Sequence, residues 1–477
     1  MPQAGDAAML LPRPHPDCPG ILMEPTIIPR AQHAISRKLI DPDALRVMYR
    51  LLRANHRAFL VGGAVRDLLL GRTPKDFDLG TDAHPHQVKR LFRNCRIVGR
   101  RFRLAHVHFQ DKIIEVSTFR RRSEYQEEGE AEVDRLIRSD NTFGTPEEDA
   151  IRRDFTINGL FYDLDTFSVL DYVGGMKDLE HRVVRSIGNP HQRIPEDPLR
   201  ILRAVKFAAR LGFTIEPTLW DAMVHFGPDI RKCAQARVLE EIYRLLRGGA
   251  ASASFQLLEE CGALRDLLPE VGHSLARARA ETADGDRVFW RYLEAVDESV
   301  EGGGEPGNAL LFGAIGAPLL GLAPGQDLGG PERSPGLLTK EVEQLTRSWV
   351  EHLGLARRDR ERLAHMLRAQ PRLLRPRGRR FRPRSFVTKH YYPDAEALFA
   401  LGCRATGLEL ETLERWRALS AEVAPKENGR HGEHGGRRRP DAERSHPPQE
   451  PPEAAGVQKP EGWGRGTRRR RGRRGKG

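Results

Sequence analysis

The sequence predicts a small mixed α/β head, a long all-α neck and body, and a disordered basic C-terminal tail. Three observations carry this. A short apolar run, Ala58 to Val61, leads into Gly62-Gly63 and then a helical pattern closed by Gly71, which reads as strand, glycine turn, helix. From Asp197 onward the apolar residues recur at helical spacing. From Lys426 to Gly477, 15 Lys/Arg stand against 7 Asp/Glu with almost no aliphatics, so this stretch buries too little apolar surface to offset the entropy of ordering.

Taken in order, residues 1–30 are Pro-rich and predicted loose. The head, 31–190, opens with Asp41-Pro42, an N-cap and first-turn proline ahead of Leu45, Met48, Leu51 and Leu52 at helical spacing. Further strand signals fall at Phe77 to Leu79, Leu104 to Phe109, Ile113 to Val116 and Thr156 to Tyr162. A helical neck, 191–275, carries Leu199 to Leu211, Val238 to Leu246 and Phe255 to Leu264. A helical body, 276–425, expected to contact RNA, carries Val342 to Leu353, Arg360 to Leu367, Ala395 to Leu401 and Leu408 to Leu419, with Glu301 to Pro335 a Gly/Pro-rich interruption and an Arg-rich stretch, Arg372 to Arg384, that reads equally as solvated surface. The tail, 426–477, supplies +8 of the net +12 and is suited to phosphate backbones, which it would hold without reading sequence.

Several classes are excluded. The longest apolar stretch, Ala309 to Ala323, contains Pro318 and falls short of the ~20 residues that cross a bilayer, so it reads as buried helix or loop. No basic region feeds a long apolar one near the N-terminus, so no secretory signal is expected and the cytoplasm is the default. Cys18, Cys95, Cys233, Cys261 and Cys403 lie far apart, which supports neither a disulfide framework nor a structural zinc site. A pI near 9.7 points to polyanionic partners such as RNA.

The chemistry is concentrated in the head. In Lys75-Asp76-Phe77-Asp78-Leu79 strand alternation would put Asp76 and Asp78 on one face and Phe77 and Leu79 in the core. Two acids that close need a cation, and Mg²⁺, which takes carboxylates together with phosphate oxygens, is the usual one. Upstream, Gly62-Gly63 leaves bare backbone N–H groups at a helix start with Arg66 one turn in, an anion site beside the acids. Glu115, on the strand pattern Ile113 to Val116, is a candidate third metal ligand in a two-metal arrangement for nucleotidyl transfer. Arg152 and Arg153 beside Asp154 put cations and a carboxylate near a triphosphate, and Asn158 can donate to a sugar or phosphate oxygen. Asp197 and Pro198 also read as an ordinary helix cap and first turn, with Arg200 on the surface.

These residues resemble the nucleotidyltransferase superfamily and, within it, the class II tRNA nucleotidyltransferase and bacterial poly(A) polymerase family. Leu60 to Asp82 is similar to that family's first motif, Glu147 to Asp163 to its second, Asp171 to Leu179 to its third, and Glu196 to Ala209 to its nucleobase-reading helix. The resemblance covers residues 26–275 strongly and the body loosely. It implies a nucleotidyltransferase head in which Asp76, Asp78 and Asp154 are active-site acids. It implies that Asp76 and Asp78 hold Mg²⁺ with Glu115 or Asp154 as the third ligand, and that Gly62, Gly63, Arg66, Asp67, Arg153, Asn158, Asp197, Arg200 and Arg203 surround the nucleotide. Asp197 would accept from an exocyclic amine and Arg200 donate to the adjacent ring nitrogen, a pair that adenine and cytosine share and guanine and uracil invert.

Three segments resemble the poly(A) polymerase version rather than the CCA-adding one: Ile28 to Arg37, Val98 to Phe109 and Glu115 to Arg120. His106 and His108 fall on one strand face and are read as polar-face residues. The expected activity is template-independent addition of AMP from ATP to RNA 3′ ends, with CCA addition to tRNA as the alternative.

Overall fold

The computed structural model describes residues 14–15, 18–22, 24–99, 103–121, 142–326, 334–376 and 381–423. The predicted tail, 426–477, lies outside the described residues, as do most of the loose N-terminal segment and Arg100 to Phe102 of one poly(A)-polymerase-like motif. The described residues form one compact unit.

The head is built on an eight-stranded mixed sheet. Its order is Thr26–Ile28, Val169–Asp171, Leu160–Asp163, Ala58–Val61, Leu79–Thr81, Ile113–Thr118, Leu104–His108 and Cys95–Val98. Every pairing is antiparallel except that of Leu79–Thr81 with Ile113–Thr118. Ala58–Val61 is central and buried on both faces, which is why it reads as an unbroken apolar run. Ala58 and Leu60 enter the main core, while Phe59 and Val61 enter a second cluster with Phe119, Phe161 and Tyr172.

The predicted helix Pro42–Arg53 forms, and Asp41 caps it by accepting from the Asp43 and Ala44 N–H groups at 2.8 and 3.2 Å. The strand expected over Phe77 to Leu79 starts only at Leu79, so Asp76 and Asp78 sit on the irregular segment leading into it. The alternation nevertheless holds, with Asp76 and Asp78 exposed, Phe77 half-buried and Leu79 buried. The strand expected over Thr156 to Tyr162 is instead a 3-10 turn, Thr156–Asn158, followed by Leu160–Asp163. Asp154 enforces the turn by accepting from the Phe155 N–H at 2.8 Å and from Asn158 Nδ2 at 3.0 Å.

That turn is braced from below by Gly175, where a Cβ would lie 2.2 Å from the Thr156 carbonyl oxygen. Gly175→Ala is expected to displace the turn and destabilise the protein by roughly 1–3 kcal/mol, the usual overpacking cost; a lowered midpoint in thermal denaturation checks it.

Among the described residues beyond Asp197 the regular structure is helical apart from a two-residue strand, Thr214–Ile215, that pairs in parallel with Val183–Val184. Leu199–Leu211 forms as expected and Gly212 closes it in the left-handed conformation, φ 68°. Val238 to Leu246 extends back to Gln235. The expected helix Phe255 to Leu264 is two, Ala251–Glu260 and Ala263–Leu267, divided at Gly262 with φ 80°. The body helices run longer than their periodicity: Pro335–Leu353, Arg357–Leu374, Tyr392–Thr406 and Leu410–Val423.

The Gly/Pro-rich interruption contains a buried helix, Asn308–Leu319. Neighbours surround it, with Gly313 against Leu398 and Gly316 against Trp349, so it is apolar all round and shows no amphipathic stripe. Among the described residues no helix is long and apolar enough to cross a membrane. Cys95, Cys233, Cys261 and Cys403 are free thiols, as expected.

Candidate active site

The head's central strand ends at Val61, and the chain must turn sharply to start the helix Gly63–Leu69. Gly62 makes the turn at φ 68°, and a Cβ there would meet Arg153 Nη1 at 2.8 Å. The backbone of Gly62 and Gly63 thereby forms one wall of a cleft of about 370 Å³. Asp78 lines the same cleft, held beside the turn because its carbonyl accepts from the Val61 N–H at 3.0 Å.

Arg66 is 3% exposed and forms the floor. Its Nε and Nη2 donate to Asp67 Oδ1 at 2.8 and 2.6 Å, and its Nη1 donates to Asn158 Oδ1 at 2.6 Å. Asn158 passes the chain on to Asp154 Oδ1, and Asp154 Oδ2 faces Arg203 at 3.9 Å. The glycine turn, the second motif and the neck helix are thus joined by one run of polar contacts. Arg153 sits across the cleft, donating to Asp149 at 2.9 Å and to the Asn158 carbonyl at 3.3 Å, with its guanidinium 5.2 Å from the Phe161 ring.

The neck closes the cleft with Arg200, Arg203 and Phe207, one face of the helix Leu199–Leu211. Asp197 does not cap that helix with its side chain; its carboxylate is held by Arg203 at 3.4 Å and Arg237 at 3.1 Å. Arg203 also faces Glu241 at 3.6 Å, and Glu241 accepts from Lys206 at 3.1 Å. Arg200 donates through Nη1 to the Arg193 carbonyl and to Glu196, while its Nε is buried without a hydrogen-bond partner.

Of the residues named from sequence, Gly62, Gly63, Arg66, Asp78, Arg153, Asp154, Asn158, Arg200 and Arg203 line the cleft. Asp67 lies buried beneath Arg66, and Arg210 faces its second oxygen at 3.7 Å. Asp197 lies behind Arg203, and Asp76 is exposed on the approach to the strand. Glu115 is on the adjacent strand, and the Leu79–Val116 register places it beside Asp78. His106 Nε2 lies 3.6 Å from Glu115, consistent with a half-buried polar-face residue.

Sequence reasoning missed Phe207 as a site residue, although it falls four and seven positions after Arg203 and Arg200. Its ring lies under the Arg66 guanidinium at 4.9 Å. It also missed buried Arg193, whose Nη2 donates to the carbonyls of Arg152 and Arg153 at 2.9 and 2.8 Å and so fixes that loop.

The electrostatics mark Asp78 as incompletely compensated. Asp78 is reached by solvent along the open cleft, yet its carboxyl is pushed up to about 6. The surrounding protein contributes most, then Glu115; Arg153 opposes, and Asp76 adds to the rise. Among the described residues no group of three or more His, Cys, Asp or Glu is drawn tightly enough together to enclose a metal ion. The mutual repulsion of Asp78, Glu115 and Asp76 is still the charge pattern a divalent cation relieves, so the donor set fits one.

Residues 58–185 match the family described as the Poly A polymerase head domain, and residues 212–275 match the probable RNA and SrmB-binding site of polymerase A. The chain is 47% identical over 296 residues to poly(A) polymerase I of Salmonella typhi, an overlap covering 61% of this chain and 63% of that protein. It is 38% identical over 293 residues to poly(A) polymerase I of Haemophilus influenzae, covering 61% and 64%. A CCA-adding enzyme of Bacillus subtilis is 41% identical over 216 residues, covering 45% of this chain and 52% of the enzyme. The chain therefore spans somewhat under two thirds of the length of the poly(A) polymerases it matches. The crystal structure of the Bacillus stearothermophilus CCA-adding enzyme in complex with CTP shares the fold, with a TM-score of 0.59 at 24% identity over 80% of this chain and 83% of that one. The part of the cleft from Gly62 to Asn158 thus lies within the segment that matches the Poly A polymerase head domain, and Arg200, Arg203 and Phe207 fall between that segment and the one that matches the probable RNA and SrmB-binding site of polymerase A.

Proposed function

We propose that the protein is a template-independent polynucleotide adenylyltransferase of the cytoplasm, which adds AMP from ATP to RNA 3′ ends and releases pyrophosphate. The observation that carries this is the convergence in one cleft of the bare Gly62-Gly63 turn, the incompletely compensated Asp78, the Arg153 and Arg203 cations, and the buried Arg200 Nε. The overlap with poly(A) polymerases, 293 to 296 residues against 216 for the CCA-adding enzyme, supports AMP addition.

Asp76 and Asp78, with Glu115 or Asp154, would hold Mg²⁺, which when bound would supply the positive charge that lowers the cost of deprotonating the RNA 3′-hydroxyl and of building charge on the phosphate oxygens. The glycine-turn N–H groups and Arg153 receive the triphosphate, whose charge their fixed dipoles and cation match without reorganisation. Asp154 acts as a positioning acid: Asn158 and the Phe155 N–H occupy one oxygen, and the other faces Arg203 across the base side of the cleft. Arg200, with Nε unpaired, donates to a ring nitrogen, and Asp197, held by Arg203 and Arg237, accepts from the neighbouring amine. Phe207 offers an apolar surface to a flat base.

Incubating the protein with labelled ATP or CTP, a generic oligoribonucleotide or a tRNA lacking its CCA end tests the reading. Long A-tails on the generic RNA with CTP ignored are expected. Addition that stops at CCA on the tRNA would replace this assignment with the CCA-adding one.

A further inference from the structure

A second cavity, of about 400 Å³, lies in the helical body, beyond both segments that match the polymerase family. It sits between the helices Pro335–Leu353 and Arg357–Leu374 and is walled by Tyr391. Three kinds of surface meet in it. The floor is apolar, from buried Leu322, Leu338 and Ala369. One wall is aromatic, with His365 and Tyr391 stacked at 4.8 Å between centroids and their planes nearly parallel, 3° apart. The rim is cationic, from Arg368, Arg372 and Arg375.

The helix macrodipole favours basic residues in a last turn. It does not account for a basic rim that closes over stacked rings and an apolar floor. Among the described residues Arg372 and Arg375 are exposed and pair with no carboxylate. Arg368 reaches Glu343 through Nη2 at 3.0 Å but leaves its Nε shielded from water with no hydrogen-bond partner. Burial first, then His390 and Arg368, hold His365 below the ordinary imidazole range, so at neutral pH its ring is uncharged and stacks as a flat aromatic surface.

We propose that this cavity binds a nucleotide of single-stranded RNA, its base against the His365–Tyr391 wall and apolar floor and its phosphates at Arg372 and Arg375. Flat ring surfaces beside arginine are how single strands are held without reading sequence, and guanidinium groups match phosphate oxygens two at a time. The volume suits one nucleotide. The proposal rests on the reading above only in naming RNA as the polymer. It gives the enzyme a hold on RNA upstream of the 3′ end, separate from the catalytic cleft.

The test uses the full chain and a short oligoadenylate carrying 8-azidoadenosine, cross-linked by light and mapped to peptides. The same RNA, fluorescently labelled, is titrated against wild type and the Arg372→Gln/Arg375→Gln double variant over a range of salt, with AMP as competitor. Cross-links at Tyr391 or His365 are expected, together with about 10-fold weaker binding in the variant and a salt slope reduced by about 1.4, the value for two single-strand phosphate contacts. Cross-links confined to other segments, with affinity and slope unchanged, would overturn the proposal. Displacement of the cross-link by AMP at concentrations that leave most RNA bound would also overturn it, because the occupant would then be a free nucleotide. Both substituted residues are exposed, and a melting temperature equal to wild type shows that the fold is kept. AMP incorporation is not read, so a failure of the adenylyltransferase assignment shows in the incorporation assay and leaves this outcome separately legible.

Discussion

Asp78→Asn is expected to reduce AMP incorporation by about 10³-fold, or about 4 kcal/mol at 1.36 kcal/mol per decade. Asp78 lines the cleft next to the glycine turn that would hold the triphosphate, whereas Asp76 and Glu115 do not. Asparagine has nearly the same shape but removes the charge that attracts a divalent cation. Stability should not fall. Glu115 and Asp76 raise the Asp78 carboxyl, so its charged form is repelled in the folded protein and the substitution relieves that repulsion. The check is single-turnover incorporation at saturating RNA alongside a thermal melt. Near-normal turnover would sink the assignment of Asp78, and a large drop in melting temperature would show a structural role instead.

Arg66→Met should be the most destabilising single change in the head, at about 3–5 kcal/mol. The guanidinium is the sole described hydrogen-bond donor from a side chain to Asp67, which is itself 4% exposed. Removing it strands a buried carboxylate that keeps only Arg210, at 3.7 Å, as an opposite charge. It also leaves Asn158 Oδ1 without its donor, which loosens the link to Asp154 and so the floor of the cleft. The double variant Arg66→Met/Asp67→Leu removes both charges and should recover part of the loss, since an apolar pair costs less than one unpaired ion. Urea midpoints for the two variants decide the matter, and equal destabilisation by both would refute the account.

A good part of this protein is written locally in its sequence. Ala58–Val61 declares a buried central strand, Gly62 the turn that leaves it, Asp41 a helix cap, and the period of Leu199–Leu211 a one-sided helix. Each depends on neighbours within a few residues, where backbone sterics and side-chain periodicity act directly. Local reading failed where a tertiary partner outcompeted the pattern. The Thr156 segment has a strand composition, but Asp154 and Asn158 bond to each other and make it a turn. Elsewhere the sequence left a choice open: Ala309 to Ala323 reads as buried helix or loop, and enclosure by other helices decides for the helix Asn308–Leu319.

The site divides in the same way. The sequence by itself determined which chemistry is present: a bare glycine turn, nearby acids, and a basic helix spaced to face them. Only the tertiary structure decided how those groups are shared. It gave Asp197 to Arg203 and Arg237, buried Arg66 beneath the cleft between Asp67 and Asn158, and brought Phe207 to the cleft wall. It also set His365 and Tyr391 beside Arg372 in a pocket of the body. These partners are separated by tens of residues, and a charge or ring has no preferred partner at that distance until packing brings one within a few ångströms and excludes water from between them.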